Sequence, residues 1–283
     1  ALLLEKNKVI ISRITASLIL AVLLIGPGHY QDGGDEKLKI TVIQPLTTNM
    51  ERIINMTNEA ESDLVIWPEA VTKFDETVSK LVPKKVVIGG FFRQENTNVY
   101  TSAINLKTGH HYDKRNLVPF GEFQPFGSLL KSINNFFNIP NSSLSRGSFY
   151  QTKADWSALI CWELVFNETF TRRVRGTKYI VHMSNDKWYG SSMPAQHLKH
   201  AKARAVESNK WVVRATLDGI SQIISPRSNE SSVILERGEM GSITHEITLN
   251  SQDTFYIKHG DTPLLIISVL SLMFGIFFRK YEK

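Results

Sequence analysis

The sequence predicts an α/β domain with one apolar helix at each end. Three observations carry this. Short β-rich runs separated by helix-spaced stretches recur from Leu38 to Asn250, two long apolar segments at residues 9–26 and 263–278 bracket that region, and no fixed-period repeat or low-complexity linker divides it. Residues 38–250 are therefore read as one domain of roughly 210 residues.

Taken in order, "VIISRITASLILAVLLIG" from Val9 to Gly26 is long enough for a membrane span if Arg13 snorkels to an interface, and it stops at Gly26-Pro27-Gly28. The runs "KITVIQP", "DLVIWPE", "KVVIGGFF", "NVYTSAINL", "SALICWE", "KYIVHMSN", "WVVRATLDG", "SQIISP" and "SITHEITL" then read as strands. Between them, Thr48 to Ser62 carries Ile53, Ile54 and Met56, and Gln196 to Asn209 carries Leu198, Ala201 and Ala205 at helical spacing. "PLLIISVLSLMFGIFF" from Pro263 to Phe278 is a little short of the usual ~20 residues, but it holds no charge and runs into Arg279 and Lys280. It reads as a second transmembrane helix. Basic residues outside both segments, Lys6 and Lys8 at one end and Arg279 and Lys280 at the other, put both termini in the cytoplasm and the domain across the membrane. The competing reading is a pair of buried core helices or, for the first segment, a signal peptide, which Arg13 counts against.

Composition narrows the function classes. Of 283 residues, 42% are hydrophobic and 21% charged, which suits a globular core rather than disorder. The formal charge of +6 comes from scattered Lys and Arg without a nucleic-acid motif, so a nucleic-acid partner is not expected. Such a surface also suits anionic lipid headgroups. The single cysteine, Cys161, cannot form an internal disulfide and is either a small buried hydrophobe or a reactive thiol.

Three strand-end or loop motifs carry chemistry. "VIWPEA" ends a strand at Glu69, "YDKRNLVPFGEF" offers Lys114 and Glu122, and "LICWE" ends a strand with Cys161, Trp162 and Glu163. A carboxylate, an ammonium and a thiol are the parts of a nucleophilic acyl-transfer site, in which a base takes the thiol proton and a cation steadies the developing oxyanion. Each residue alone is more often a solvated surface group or a packing cysteine. In this order, "WPE", "DKRNLVPFGE" and "ICWE" resemble the Glu-Lys-Cys pattern of the nitrilase superfamily. "KRNLVPFGEFQPF", "SSLSRGSF", "SNDKWYG" and "QHLKHAKARAVESNKWVVRAT" are similar to its apolipoprotein N-acyltransferase branch, a likeness running from about Val42 to the C-terminal helix.

The resemblance implies a nitrilase-like α-β-β-α sandwich flanked by a transmembrane helix at each end. It implies Glu69 as general base, Lys114 as oxyanion support and Cys161 as nucleophile, with Glu122, Trp162 and Glu163 in supporting roles. It further implies a phospholipid acyl donor, a diacylglyceryl-cysteine lipoprotein acceptor, a Cys161 thioester, no metal or organic cofactor, and a bacterial inner membrane with the domain on the periplasmic side. Members of that branch normally carry several further transmembrane helices upstream, where this chain has one, and the expectation is of a shortened member. Two other readings stay open: an amidase acting on a small amide, and an inactive anchored lipid- or protein-binding remnant.

Four further features are weighed against plainer roles. "FQPFGSLLKSINNFFNIP" puts Phe126, Leu129, Leu130, Ile133 and Phe137 on one helical face, either core-facing or an arm that admits acyl chains. Trp188, Tyr189 and Met193 offer either a second membrane-facing loop or simple packing. His197 and His200 have a metal-compatible spacing but no third ligand in a suitable motif, and Asp186 is read as a wall of the pocket rather than an acid. Gly89-Gly90 is too short for a phosphate loop.

Overall fold

In the computed structural model, which describes residues 35–124, 144–227 and 231–280, the apolar runs become the strands of two sheets. The first holds β1 (Lys37–Gln44), β2 (Leu64–Ile66), β3 (Thr72–Lys73), β4 (Val86–Glu95), β5 (Asn98–Asn105) and β6 (His111–Asp113). The second holds β7 (Trp156–Ile160), β8 (Tyr179–Ser184), β9 (Val212–Thr216) and β10 (Gln222–Ile224). β11 (Gly241–Thr248) returns to the first sheet, antiparallel to β1 with Val42 opposite Ile243, giving the order β11-β1-β2-β4-β5-β6 with β3 beside β4. In the second sheet the order is β10-β9-β8-β7.

Alternation along each strand makes the layers, because successive side chains leave opposite faces of a sheet. Ile40, Val42 and Ile66 point into a core shared with Ala158, Val181 and Val213 of the other sheet. Their neighbours Ile43, Val65 and Val87 point outward, onto Ile53 of α1 (Met50–Glu59) and Val78 of α2 (Glu76–Leu81). On the far side, Leu159, Ile180 and Val212 pack on Phe170 of α3 (Asn167–Val174), Ala201 of α4 (Ser192–Ser208) and Ile257 of α5 (Phe255–His259). Helix, sheet, sheet, helix is the expected sandwich. Strands covered on both faces read as continuous apolar runs, which is why "VVIGGFF" and "YIVHMS" were legible as strands.

The helices start where the sequence offers caps. Asn49 accepts the Arg52 N–H at 3.0 Å and Asp75 accepts that of Thr77 at 2.8 Å, each satisfying an orphan donor of a first turn. α4 ends at Asn209 in the left-handed region, at φ 53°, a conformation asparagine tolerates.

Chain direction decides where the site lies. β1, β2 and β4 run parallel, and two antiparallel steps bring β6 back to the same direction. The segments leaving β2 and β6 therefore emerge at one edge of the first sheet, as those leaving the parallel β7 and β8 do in the second. Carboxyl ends of parallel strands are where α/β folds collect their functional groups.

The C-terminal apolar segment forms α6 (Thr262–Lys280), and Leu264, Leu265, Ile266, Val269, Leu270, Leu272 and Met273 are all exposed on it. Among the described residues no helix is long and apolar enough to cross a membrane. The segment at residues 9–26 and the arm bearing Phe126 to Phe137 lie outside the described residues.

Candidate active site

Glu69, Lys114, Glu122 and Cys161 leave their separate loops and converge on one buried spot. Glu69 follows β2 on a loop pinned to β4, with Gly90 N–H donating to Pro68 O at 3.1 Å and Val71 N–H to Gly90 O at 2.9 Å. That approach needs a glycine: a Cβ on residue 90 would stand 2.5 Å from Pro68 O. Gly90 thus serves close backbone contact, while a Cβ on Gly89 would meet the Phe91 and Trp67 rings. Lys114 follows β6, its N–H bonded to Thr101 O at 2.8 Å and its carbonyl accepting from Gly147 N–H at 2.9 Å. Cys161 ends β7 and opens a 3₁₀ turn, Cys161–Val165, at φ 52°. Ala70 (φ 53°) and Phe120 (φ 63°) share this left-handed backbone beside Glu69 and Glu122. Such conformations cost about 1–3 kcal/mol each outside glycine, and they gather at functional sites.

Lys114 is completely buried and bridges two carboxylates, its Nζ 3.1 Å from Glu69 Oε1 and 2.6 Å from Glu122 Oε1. Glu69 also accepts the Asn185 N–H at 3.0 Å, and Glu122 that of Val118 at 2.8 Å. Burial works against the Lys114 charge, but Glu69, Cys161 and Glu122 outweigh it and hold the ammonium above its ordinary value. Burial also raises the Glu69 carboxyl, Lys114 pulls it back, and the Glu122 charge raises it again. The Cys161 thiol, 4% exposed, is pushed up to about 12, chiefly by burial and then by Glu69, against the pull of Lys114. The resting group is a neutral thiol beside a strengthened base.

Glu163 does something different from the other acids. Its Oε1 accepts Tyr112 O–H at 2.7 Å and the amides of Arg115 and Asn116 at 2.8 and 3.1 Å, while Oε2 accepts the Ile160 N–H at 3.0 Å. It fastens the cysteine turn to the segment carrying Lys114. Trp162 lines a cavity of about 590 Å³ with Leu117, Val118, Phe123, Tyr189 and Met193. Burial and then the neighbouring Cys161 raise the Tyr189 hydroxyl above its ordinary value, so the wall of the apolar cavity borders the thiol at this residue. Trp188 is 83% exposed and takes no part.

A second buried network lies behind Cys161. His182 Nε2 is 3.1 Å from the Cys161 carbonyl, Arg214 Nη1 is 2.6 Å from His182 Nδ1, and Arg214 Nη2 donates to Asp186 Oδ2 at 2.7 Å. Burial and the Arg214 charge hold His182 neutral, so its Nε2–H donates to Cys161 O and its Nδ1 accepts. Asp186 bonds Ser184 and, at 2.9 Å, His197 Nδ1. It is fully buried and forms no face of the pocket. Burial opposes its charge, but His197, Arg214 and Ser184 hold its carboxyl well below the usual range. His200 is exposed, and among the described residues no group of side chains is arranged to hold a metal ion.

The two-sheet sandwich with acid, ammonium and thiol at its strand ends is the architecture of a cysteine-bearing carbon-nitrogen hydrolase. The pattern defining that family matches residues 84–254, which include Lys114 and Cys161 but not Glu69, and the chain belongs to the carbon-nitrogen hydrolase family. Within it, the chain is 32% identical to an apolipoprotein N-acyltransferase of Shewanella oneidensis, over 79% of this chain and 49% of that protein. It is 30% identical to one of Wigglesworthia glossinidia brevipalpis, over 82% of this chain and 52% of that one. The chain thus spans about half the length of the curated relatives it matches. Among solved structures, a CN-hydrolase superfamily protein from Xanthomonas campestris is similar at TM-score 0.56 and 16% identity, covering 75% of this chain and 91% of that one. An amidase from Nesterenkonia sp. AN1, seen with the acetamide moiety of fluoroacetamide covalently added at its active-site cysteine, is similar at TM-score 0.54 and 14% identity, over 77% of this chain and 93% of that one. These likenesses establish the fold.

Proposed function

We propose that this chain transfers an acyl group from a phospholipid, through a thioester on Cys161, to the N-terminal amine of a diacylglyceryl-cysteine lipoprotein. The observation that carries the reading is the pairing of a buried Glu69–Lys114–Glu122 cluster beside Cys161 with an apolar cavity of about 590 Å³. Small polar amides have no use for such a wall, whereas an acyl chain does. The names of the similar bacterial proteins support the same assignment.

The chemistry follows from the resting protonation states. With the thiol pushed up to about 12, attack on the ester carbonyl requires Glu69 to take the proton as the C–S bond forms. The oxyanion gathers beside the Lys114 ammonium and the Trp162 amide, which stands in the first turn of its 3₁₀ helix where no intrahelical acceptor exists. Collapse expels the lysophospholipid alkoxide, which recovers the proton from Glu69. The acceptor amine then attacks the thioester, Glu69 takes its proton, and the departing sulfur receives it. Glu122 keeps Lys114 charged and raises Glu69, so one ammonium between two carboxylates leaves a base rather than a neutral pair.

The apolar surface of α6, followed by Arg279 and Lys280, and the apolar segment at residues 9–26 support insertion at both ends in a bacterial inner membrane, with the domain on the periplasmic side.

The test is the intact mass of the protein after incubation with phospholipid in micelles. One added acyl chain is expected, absent in Cys161→Ala and discharged by a lipopeptide bearing a free diacylglyceryl-cysteine amine. Ammonia release from a small amide with no acyl adduct would overturn the reading.

A further inference from the structure

A second, polar pocket of about 110 Å³ lies on the other side of the Arg115–Asn116 segment, with Arg172, Arg173 and Ser148 among its lining. We propose that it binds the phosphate group of a phosphate ester or of inorganic phosphate.

The case begins with Arg173. Its side chain is 5% exposed, yet among the described residues no carboxylate stands within ion-pair distance of it. Its Nη1 reaches only Gln151 O at 3.3 Å and Thr152 O at 3.5 Å, and its Nε is buried with no hydrogen-bond partner. A buried guanidinium with long bonds and an idle N–H is expensive to maintain unless an anion completes it. Stacking over the Tyr112 ring at 4.3 Å offsets part of that cost but uses no N–H.

The neighbouring charges sharpen the point. Arg115 and Arg172 both stand over the Phe149 ring, at 4.9 and 3.1 Å, so three like charges gather at one small opening. Glu168 answers one of them, at 2.7 Å from Arg172 Nη2. Glu163 attracts Arg173 through space, but its two oxygens already accept from Tyr112 and from the amides of Ile160, Arg115 and Asn116. Arg115, whose Nη1 also donates to Gly147 O at 3.1 Å, and Arg173 are left without a carboxylate partner among the described residues. Planar guanidinium forks match phosphate oxygens, and the pocket's size admits one such group but not a lipid tail.

Its position relates it to the cavity without merging with it. Arg115 and Asn116 line both spaces, so a phosphate here lies one wall from the apolar cavity. The site stands on its own charges; only its assignment to the phosphodiester of the acyl donor would rest on the acyl-transfer reading.

The test uses the full chain in detergent with Cys161→Ala, so that binding is read without turnover. Inorganic phosphate and glycerophosphoethanolamine are titrated by calorimetry at constant ionic strength. Saturable binding of at least one is expected, weakened about tenfold or more by Arg173→Gln and severalfold by Arg115→Gln, whose partly exposed position guards against a folding failure. Binding of the diester alone identifies a lipid headgroup, and equal binding of inorganic phosphate identifies a free anion. Failure of both to saturate, or binding that survives both substitutions, overturns the site. Neither result touches the acyl-adduct measurement on the unmodified chain, so the two proposals fail separately.

Discussion

Two buried carboxylates, one before Cys161 and one behind it, meet opposite fates. Glu69 shares a single ammonium with Glu122 and is raised, whereas Asp186 holds Arg214, His197 and Ser184 to itself and is lowered. Burial penalises both charges alike. The difference is the ratio of cations and donors to carboxylates. An acid that must share its counter-charge stays ready to take a proton, and one with a surplus of donors becomes a fixed strut.

The largest expected effect tests the reactive half. Glu69→Gln removes the base while keeping shape, and acyl-enzyme formation should slow about 10²–10⁴-fold, measured by timed mass spectrometry. Near-normal acylation would place the base elsewhere. On the other half, Arg214→Met leaves Asp186 buried without its cation and should destabilise the fold by about 3–5 kcal/mol, read from denaturant midpoints. The sign with pH follows. Because Arg214 helps hold the folded Asp186 carboxyl down, that stabilisation is present above the ordinary carboxylate value and lost as pH falls through the depressed one, so the stability difference between the unmodified chain and this variant should shrink as pH falls through that range. A difference that does not change with pH would mean that Asp186 is no strut.

Smaller effects separate positioning from chemistry. Glu163→Gln loses one carboxylate acceptor among four donors and should cost about 1–3 kcal/mol of stability, with slower acylation but an unmoved pH profile. A displaced profile would make Glu163 part of the proton chemistry. Glu122→Gln deletes the charge that raises Glu69, so Glu69 becomes a weaker base and the acidic limb of the rate profile should move to lower pH. The plateau rate should fall modestly. A limb that stays in place would show that Glu122 does not set the base.

Much of this was legible beforehand, for identifiable reasons. Strands buried on both faces advertise themselves as apolar runs, and α1 and α4 showed helical spacing. The two-residue β3 and three-residue β6 were too short to show a period, and α2, α3 and α5 too short to assert one. The acid, ammonium and thiol were found by the resemblance of three motifs, since no local spacing connects Glu69 with Lys114 or Cys161. The network behind the thiol was missed. A signal did exist: His182 in "YIVHMS" and Arg214 in "VVRAT" are polar residues set inside apolar strands, where an unpartnered charge could not stay. What could not be read was that β8 and β9 pair them in register, on the face that meets His197 of α4.

The sequence by itself determined the layer pattern, the strand-end loops and the residue types at the site, because periodicity, capping and turn chemistry act within a few residues along the chain. Tertiary structure alone decided that Lys114 lies between Glu69 and Glu122, that Asp186 is held low while Glu69 is raised, and that Arg173 lines a pocket with no described carboxylate within ion-pair distance of it. Those outcomes depend on distance through space and on burial. Both are set by how the two sheets stack, and no stretch of sequence contains that information by itself.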